Sequence, residues 1–317
     1  MKARAISLLV ILLLMCVLVG GRQREVFVAS VTERVIYIPG LEDEYKFLLL
    51  SDNHIIVMDE SDDEPVKDEA LKRIKEFVNN DGITSADQFP YWIEYANKNS
   101  IDMVLMAGDM IDYASDTNID YIYKNLEKLE TADYIYTLGN HDWTTVTDYM
   151  TPHGMEVYLP KMKKLTGENT FVNTKEYDKF IILSIDNSTN QVNPEAMQEI
   201  KRVFKIGKPV ILIMHVPIGN EEILIEGKKM WTSGVVMGLG NWGGIYENET
   251  TSEFMSLLSE EDCPVIAILA GHVHVENESV YNEKIIEFTA PPGFTGKGTV
   301  ITVKALQEAG DQPLSKY

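Results

Sequence analysis

Five short apolar runs, each closed by a cluster of polar or ionisable residues, set the strongest limit on what this chain can fold into. They are KFLLLSDNH (46–54), DMVLMAGDMID (102–112), DYIYTLGNHD (133–142), PVILIMH (209–215) and PVIAILAGHVH (264–274). Their length, β-branched content and Gly or Pro punctuation suit buried strands better than helices. Helical patterns fill several of the gaps. EALKRIKEFV (69–78) has apolar residues at 71, 74, 77 and 78, and SADQFPYWIEYANKN (85–99) and NIDYIYKNLEKLE (118–130) follow. Asn193 is placed to cap NPEAMQEIKRVFK, with Pro194 in its first turn. Strand, helix and strand in repetition mean an α/β protein.

FVNTKEYDKFIILSID (171–186) reads as an antiparallel pair, and KIIEFTA and GTVITVK add two strands after Tyr281, so parallel and antiparallel strands mix. With no internal repeat and no dividing linker, residues 25–317 read as one domain. The acidic run DESDDE (59–64) and the polar tail after Lys304 read as solvated surface.

Composition narrows the partners. A hydrophobic share of 45% allows a sizeable core. A formal net charge of -21 with no Lys/Arg block opposes any general affinity for nucleic acid, so no nucleic-acid scaffold is expected. Cys16 and Cys263 are the only cysteines, which excludes a disulfide framework and a CxxC zinc site. Residues 1–24, MKARAISLLVILLLMCVLVGGRQR, have a basic start, an apolar run from Ile6 to Val19 and two glycines, the layout of an export signal. The run is shorter than the about twenty residues a spanning helix needs, so a cleaved signal is the first reading and a retained membrane anchor the second. Either puts the protein outside the cell or on the outer face of the membrane.

The polar clusters occupy the position where open α/β sheets bind ligands, beyond the carboxyl ends of strands. Five of the six histidines lie in them: His54, His141, His215, His272 and His274, with His153 elsewhere. In extended chain, residues i and i+2 face the same way, so Asp52 with His54, and His272 with His274, can each reach one shared volume. Two metal ions would fill it. Oxygen and imidazole donors without thiolate suit Mn, Fe, Zn or a similar ion. Each cluster alone has a bland reading, a strand-end turn or a satisfied core histidine; their order, with a strand before each, favours a shared site.

The ordered set Asp52-Asn-His54, Gly108-Asp109-Met-Ile-Asp112, Gly139-Asn140-His141-Asp142, His215 and Gly271-His272-Val-His274 resembles the motifs of the calcineurin-like metallophosphoesterase superfamily. The resemblance implies two mixed β-sheets packed as a sandwich, flanked by helices, with a dinuclear centre at one edge. It places the first divalent ion on Asp52, His54 and His274 and the second on Asn140, His215 and His272, with Asp109 bridging. Two divalent ions bring four positive charges and the two aspartates cancel two, which leaves a centre able to draw phosphate to an acidic protein. The expected reaction is hydrolysis of phosphate mono- or diesters of small substrates by a metal-activated hydroxide. His141 would protonate the leaving oxygen, with Asp142 fixing its ring and keeping it cationic. Asp112 is expected to steady a ligand by accepting a hydrogen bond, or else to cap a strand end.

Departures from individual branches are informative. Where purple acid phosphatases carry a metal-binding tyrosine this chain has Asp112, with Tyr113 one position off, so no purple iron chromophore is expected. Serine/threonine protein phosphatases continue that motif with arginine, and Tyr113 stands here instead. Residues 219–250, with Trp231 and Trp242, read as an insertion beside the site that shapes a pocket or forms a lid. GLGNWGG within it satisfies a dinucleotide spacing, but lacks the flanking strand and helix. The rival to a phosphoesterase is a noncatalytic surface protein that retains a metal site. His141 and Asp142, which a structural metal site does not need, favour the enzyme.

Overall fold

The computed structural model describes residues 27–145, 151–230, 236–238 and 248–306. The leader and the two tryptophans of the 219–250 segment lie outside the described residues. The strands are β1 Ser30–Ile38, β2 Tyr45–Leu50, β3 Met103–Ala107, β4 Asp133–Thr137, β5 Val172–Glu176, β6 Ile181–Ile185, β7 Val210–Ile213, β8 Val265–Ala270, β9 Asn277–Tyr281, β10 Ile285–Thr289 and β11 Lys297–Ala305. Between them run the α-helices α1 Glu64–Glu76, α2 Ser85–Lys98, α3 Asp116–Leu126, α4 Pro152–Tyr158, α5 Lys163–Thr166, α6 Met197–Phe204, α7 Glu221–Met230 and α8 Glu249–Ser259.

The strands form two mixed sheets, ordered β1-β11-β2-β3-β4 and β5-β6-β7-β8-β10-β9. In the first, β2, β3 and β4 are mutually parallel. In the second, β6, β7, β8 and β10 are parallel, while β5 and β9 close the edges antiparallel. The parallel strands are what align the polar clusters, because each strand delivers its carboxyl end to the same side of its sheet.

Layering explains why the runs are apolar throughout rather than alternating. Phe47 and Leu49 of β2 turn inward and meet Leu105, Ile211, Ile213 and Leu269 between the sheets. Leu48 and Leu50 turn outward, with Val104 and Met106, onto Phe89, Trp92, Ile119 and Ile122 of α2 and α3. On the far side Leu212 and Ile268 pack beneath Ile200, Val203, Phe254 and Leu258 of α6 and α8. A strand covered on both faces needs an apolar side chain at every position. The result is helix, sheet, sheet, helix, the sandwich that the resemblance implies.

Several boundaries differ from the sequence reading. Helix α1 starts at Glu64, inside the acidic run, because Asp63 holds extended cap geometry and Pro65 fits the first turn. Asp59 is not merely solvated; it accepts hydrogen bonds from Ser61 and from the Thr117 hydroxyl. Asn193 caps a short 3-10 turn, Pro194–Ala196, that leads into α6. Strand β1 pairs in parallel with β11, Ser30 opposite Lys297, and Phe27 just before it rests against Tyr91 and Trp92. No helix among the described residues is long and apolar enough to cross a membrane.

Candidate metal centre

Each strand stops before its functional side chains begin. Strand β2 ends at Leu50 and β8 at Ala270, so the extended-chain spacing expected for Asp52 with His54, and for His272 with His274, is not the geometry used. Instead Asp52, His54, Asp109, His272 and His274 have φ of 52°, 46°, 52°, 70° and 54°, left-handed values that non-glycine residues rarely adopt. Nine non-glycine residues with positive φ occur among the described residues, and more than half of them stand here, which marks a functional concentration of strain. Neighbouring backbone fixes it. Asp52 N–H donates to Gly108 O, His54 N–H to Asp109 O, and His272 N–H to the Asp52 carboxylate. Space is equally tight: a Cβ on Gly108 would come 2.4 Å from His215 Nδ1, and one on Gly271 1.8 Å from Ser51 Oγ.

The side chains so placed form adjoining nests. One joins Asp52, His54 and His274, and another joins Asp109, His215 and His272, with donor atoms within 4.8 Å of one another in each. In the first, His274 Nε2 lies 3.4 Å from Asp52 Oδ1 and 3.1 Å from His54 Nε2. In the second, His215 Nε2 lies 3.2 Å from Asp109 Oδ2 and 3.2 Å from His272 Nδ1. The same Asp109 Oδ2 is 4.0 Å from His54 Nε2, so one carboxylate oxygen faces both nests. Asn140, at the tip of β4, has a buried Oδ1 without a hydrogen-bond partner.

The tautomers are set by what lies behind each ring. His54 Nδ1 donates to Asp112 Oδ1 at 3.0 Å, and His215 Nδ1 donates to Ala107 O at 2.8 Å. Both rings therefore present Nε2 lone pairs to the interior of the nests when neutral. Burial, then the charge of His215, pushes His272 down to about 3, and burial pushes His54 down as well. Despite burial, the His215 and His141 charges hold Asp109 far below the usual carboxylate range. Against its own burial His215 is pushed up to about 9, chiefly by the Asp109 charge, so a cation binding there must displace a proton. Facing imidazole nitrogens, buried anions and an orphaned amide oxygen are the donors a divalent cation takes, so the residues present fit a metal centre.

His141 is partly exposed beside this centre, with one ring nitrogen grouped with a nitrogen of His54 and a carboxylate oxygen of Asp109. Its Nδ1 donates to Asp112 O at 2.9 Å and lies 3.3 Å from Asp112 Oδ1. Burial opposes its cation, but the Asp109 and Asp112 charges prevail and push it up to about 9.

Asp142 does not do what its sequence position suggested. Its Oδ2 accepts from the Gly139 and Asp109 N–H groups at 2.7 and 2.9 Å. Its Oδ1 accepts from the Tyr136 hydroxyl and the Ile111 N–H at 2.7 and 3.2 Å. With donors drawn from its own loop, from β4 and, for two of the four, from the loop after β3, the carboxylate is turned into the loop scaffold. The His141 ring faces Asp112 instead. Asp112 accepts the hydrogen bond from His54 and also takes a two-pronged contact from Arg73. Tyr113 packs into an apolar cluster with Ile56, Ala70 and Phe77.

Three supporting residues escaped the sequence reading. Arg73 sits in the last turn of α1, with nothing in EALKRIKEFV to separate it from the other basic residues. Asn187 accepts from the His215 and Val216 N–H groups and donates to Val216 O. Glu287 accepts from the Ile218 and Gly219 N–H groups. Glu287 alone left a signal, a carboxylate within the apolar strand KIIEFTA.

The calcineurin-like phosphoesterase sequence profile matches residues 45–276, most of the chain and all of the nests. The chain is a calcineurin-like phosphoesterase. It is thus a metal-dependent hydrolase of phosphate esters. Among solved structures, this phosphoesterase is similar to the purple acid phosphatase PPD1 from yellow lupin (Lupinus luteus) seeds, with 14% identity and a TM-score of 0.51, over 82% of this chain and 45% of that one. It thus spans about half the length of the lupin protein, and the likeness is one of fold. A dimetal phosphatase from Danio rerio aligns at 13% identity over 78% of this chain and 87% of that one, with a TM-score of 0.48. No curated protein sequence matches significantly.

Proposed function

We propose that this phosphoesterase is exported and hydrolyses mono- or diesters of small phosphate substrates at a pair of divalent ions. Asp52, His54 and His274 would hold one ion and Asn140, His215 and His272 the other, with Asp109 between them. The observation that carries the pairing is Asp109 Oδ2, a single oxygen turned toward imidazoles of both nests. Ions bound there would polarise phosphoryl oxygens and lower the pKa of water.

The chain's own residues do the rest. Asp112 holds the His141 ring by Nδ1, and Asp109 and Asp112 keep it cationic, so at neutral pH His141 can give a proton to the leaving oxygen. Asp142 ties the loop that carries Asn140 and His141 to the loop that carries Asp109 by accepting from the Gly139 and Asp109 N–H groups. Export rests on the leader, whose layout supports a cleaved signal first and an anchor second.

His141→Ala should keep its metal content and lose about 10²- to 10⁴-fold in rate, the usual contribution of a proton-transfer group. Paired metal analysis and rate measurement check this with aryl phosphate monoesters and diesters and with Mn, Zn, Ni, Fe and Ca supplied in turn. An unchanged rate removes His141 from the reaction. No hydrolysis of either substrate class by the unaltered protein favours the noncatalytic alternative.

A further inference from the structure

We propose that Arg73 is a positioning residue for the metal centre: its guanidinium locks the Asp112 carboxylate, which in turn aims His54 and His141. The inference rests on the phosphoesterase reading for its kinetic consequences but not for its geometry. Arg73 Nε donates to Asp112 Oδ2 at 2.8 Å and Nη2 to Asp112 Oδ1 at 2.6 Å, the planar fork that arginine alone supplies. Asp112 is almost fully buried, and its Oδ1 also meets His54 Nδ1 at 3.0 Å and His141 Nδ1 at 3.3 Å. His54 therefore takes its orientation from that oxygen, His141 from it together with the Asp112 carbonyl, and the carboxylate takes its place from Arg73.

A second contact acts on the same ring. Phe77 directly follows α1, and its ring stacks on His54 at 4.2 Å and 6° between planes. Arg73 lies over the Phe77 ring, 4.8 Å from its centroid. The end of α1 thus grips His54 by its edge through Asp112 and by its face through Phe77. Charge adds a reason. Asp112 is one of four buried carboxyl groups here, with Asp52, Asp109 and Asp142, and Arg73 offsets its charge. A direct hold on substrate is a weaker reading, because two of the guanidinium nitrogens already serve Asp112 and Nη1 donates to Glu76.

The test uses the full chain with Arg73→Met, Arg73→Gln and Arg73→Lys, alone and combined with Asp112→Asn. Mn and Zn affinity is measured by chelator competition, and kcat and KM on an aryl phosphate diester. Arg73→Met and Arg73→Gln should weaken metal binding and lower kcat by about 10- to 100-fold each, as loss of an outer partner of a ligand does. KM should stay within about twofold, since no substrate contact is removed. Arg73→Lys should recover part of both, and Arg73→Met should add little to Asp112→Asn. Glu76→Gln is the control that leaves both unchanged. Folded Arg73 variants with unaltered metal affinity, multiplying effects in the double variant, or a rise confined to KM would each overturn the assignment. If the unaltered protein hydrolyses nothing, the functional reading fails while the affinity measurements still decide the role of Arg73.

Discussion

The two sheets bring different chemistry to their common edge. The first contributes both proposed carboxylate ligands, Asp52 and Asp109, with His54 and Asn140, and its loops are held by charge: Asp142 gathers three backbone N–H groups and Arg73 clamps Asp112. The second contributes His215, His272 and His274, and its loop after β7 is held by the neutral amide of Asn187 and by Glu287. Each nest draws on both sheets, so neither sheet alone has a complete donor set. The central ligand of each sheet is backed differently. Asp109 sits in a loop whose N–H groups are taken up by another acid, Asp142, whereas His215 has the Ala107 carbonyl behind its Nδ1.

The largest expected effect comes from removing the group that joins the halves. Asp109→Ala should lower activity by about a thousandfold or more, the several kcal/mol that metal-held charge stabilisation supplies. Rate and metal content measured together check it. A variant that keeps both ions would separate the nests from one another. Next, Asp142→Ala and Asn187→Ala compare the two kinds of backing. Asp142→Ala strands three backbone N–H groups and a tyrosine hydroxyl, for roughly 4 kcal/mol or more. Asn187→Ala strands two N–H groups and a carbonyl, for about 2–4 kcal/mol. Urea unfolding gives the costs, and equal costs with equal metal loss would erase the distinction between the rims.

Metal removal is the next smaller effect. Ions that bind only the assembled edge should stabilise the fold by about 3 kcal/mol at a hundred times their Kd, seen as a lower Tm after chelation. The smallest concerns Glu287, whose carboxyl burial pushes up to about 7 from an ordinary 4.5. Because the folded value is raised, its contribution is fully present below about 4.5 and is lost as pH climbs through 7. Stability should therefore fall by at most about 3 kcal/mol over that window, and Glu287→Gln should flatten the slope. Urea midpoints at pH 5 and pH 8 for the two proteins decide it.

What the sequence revealed followed from local periodicity. Runs such as KFLLL and VILIM suit strands covered on both faces better than helices, and the clusters behind them then fall at strand tips. Backbone handedness was not legible: nothing in DNH or HVH announces that both flanking residues take positive φ, because that depends on β3 lying beside β2 and on the Asp52 carboxylate beside His272. Contacts between distant segments were hidden for the same reason. Asp142 adjoins His141 in sequence, yet its loop folds the carboxylate back onto Gly139, while Asp112, twenty-nine residues from His141, meets the ring. Strand β9 and helix α7 lack the apolar regularity that marked the other elements, since β9 is an edge and exposes alternate residues.

The parallel pairing of β1 with β11 decides where the polypeptide leaves the body. Because Ser30 stands opposite Lys297, on the side where β2 ends, whatever precedes Phe27 departs from the ligand-bearing side. A leader left uncut would then act as a leash of about 28 Å at most from Val19 to Phe27. The end of the body that bears the ligands would then be the end nearer the lipid.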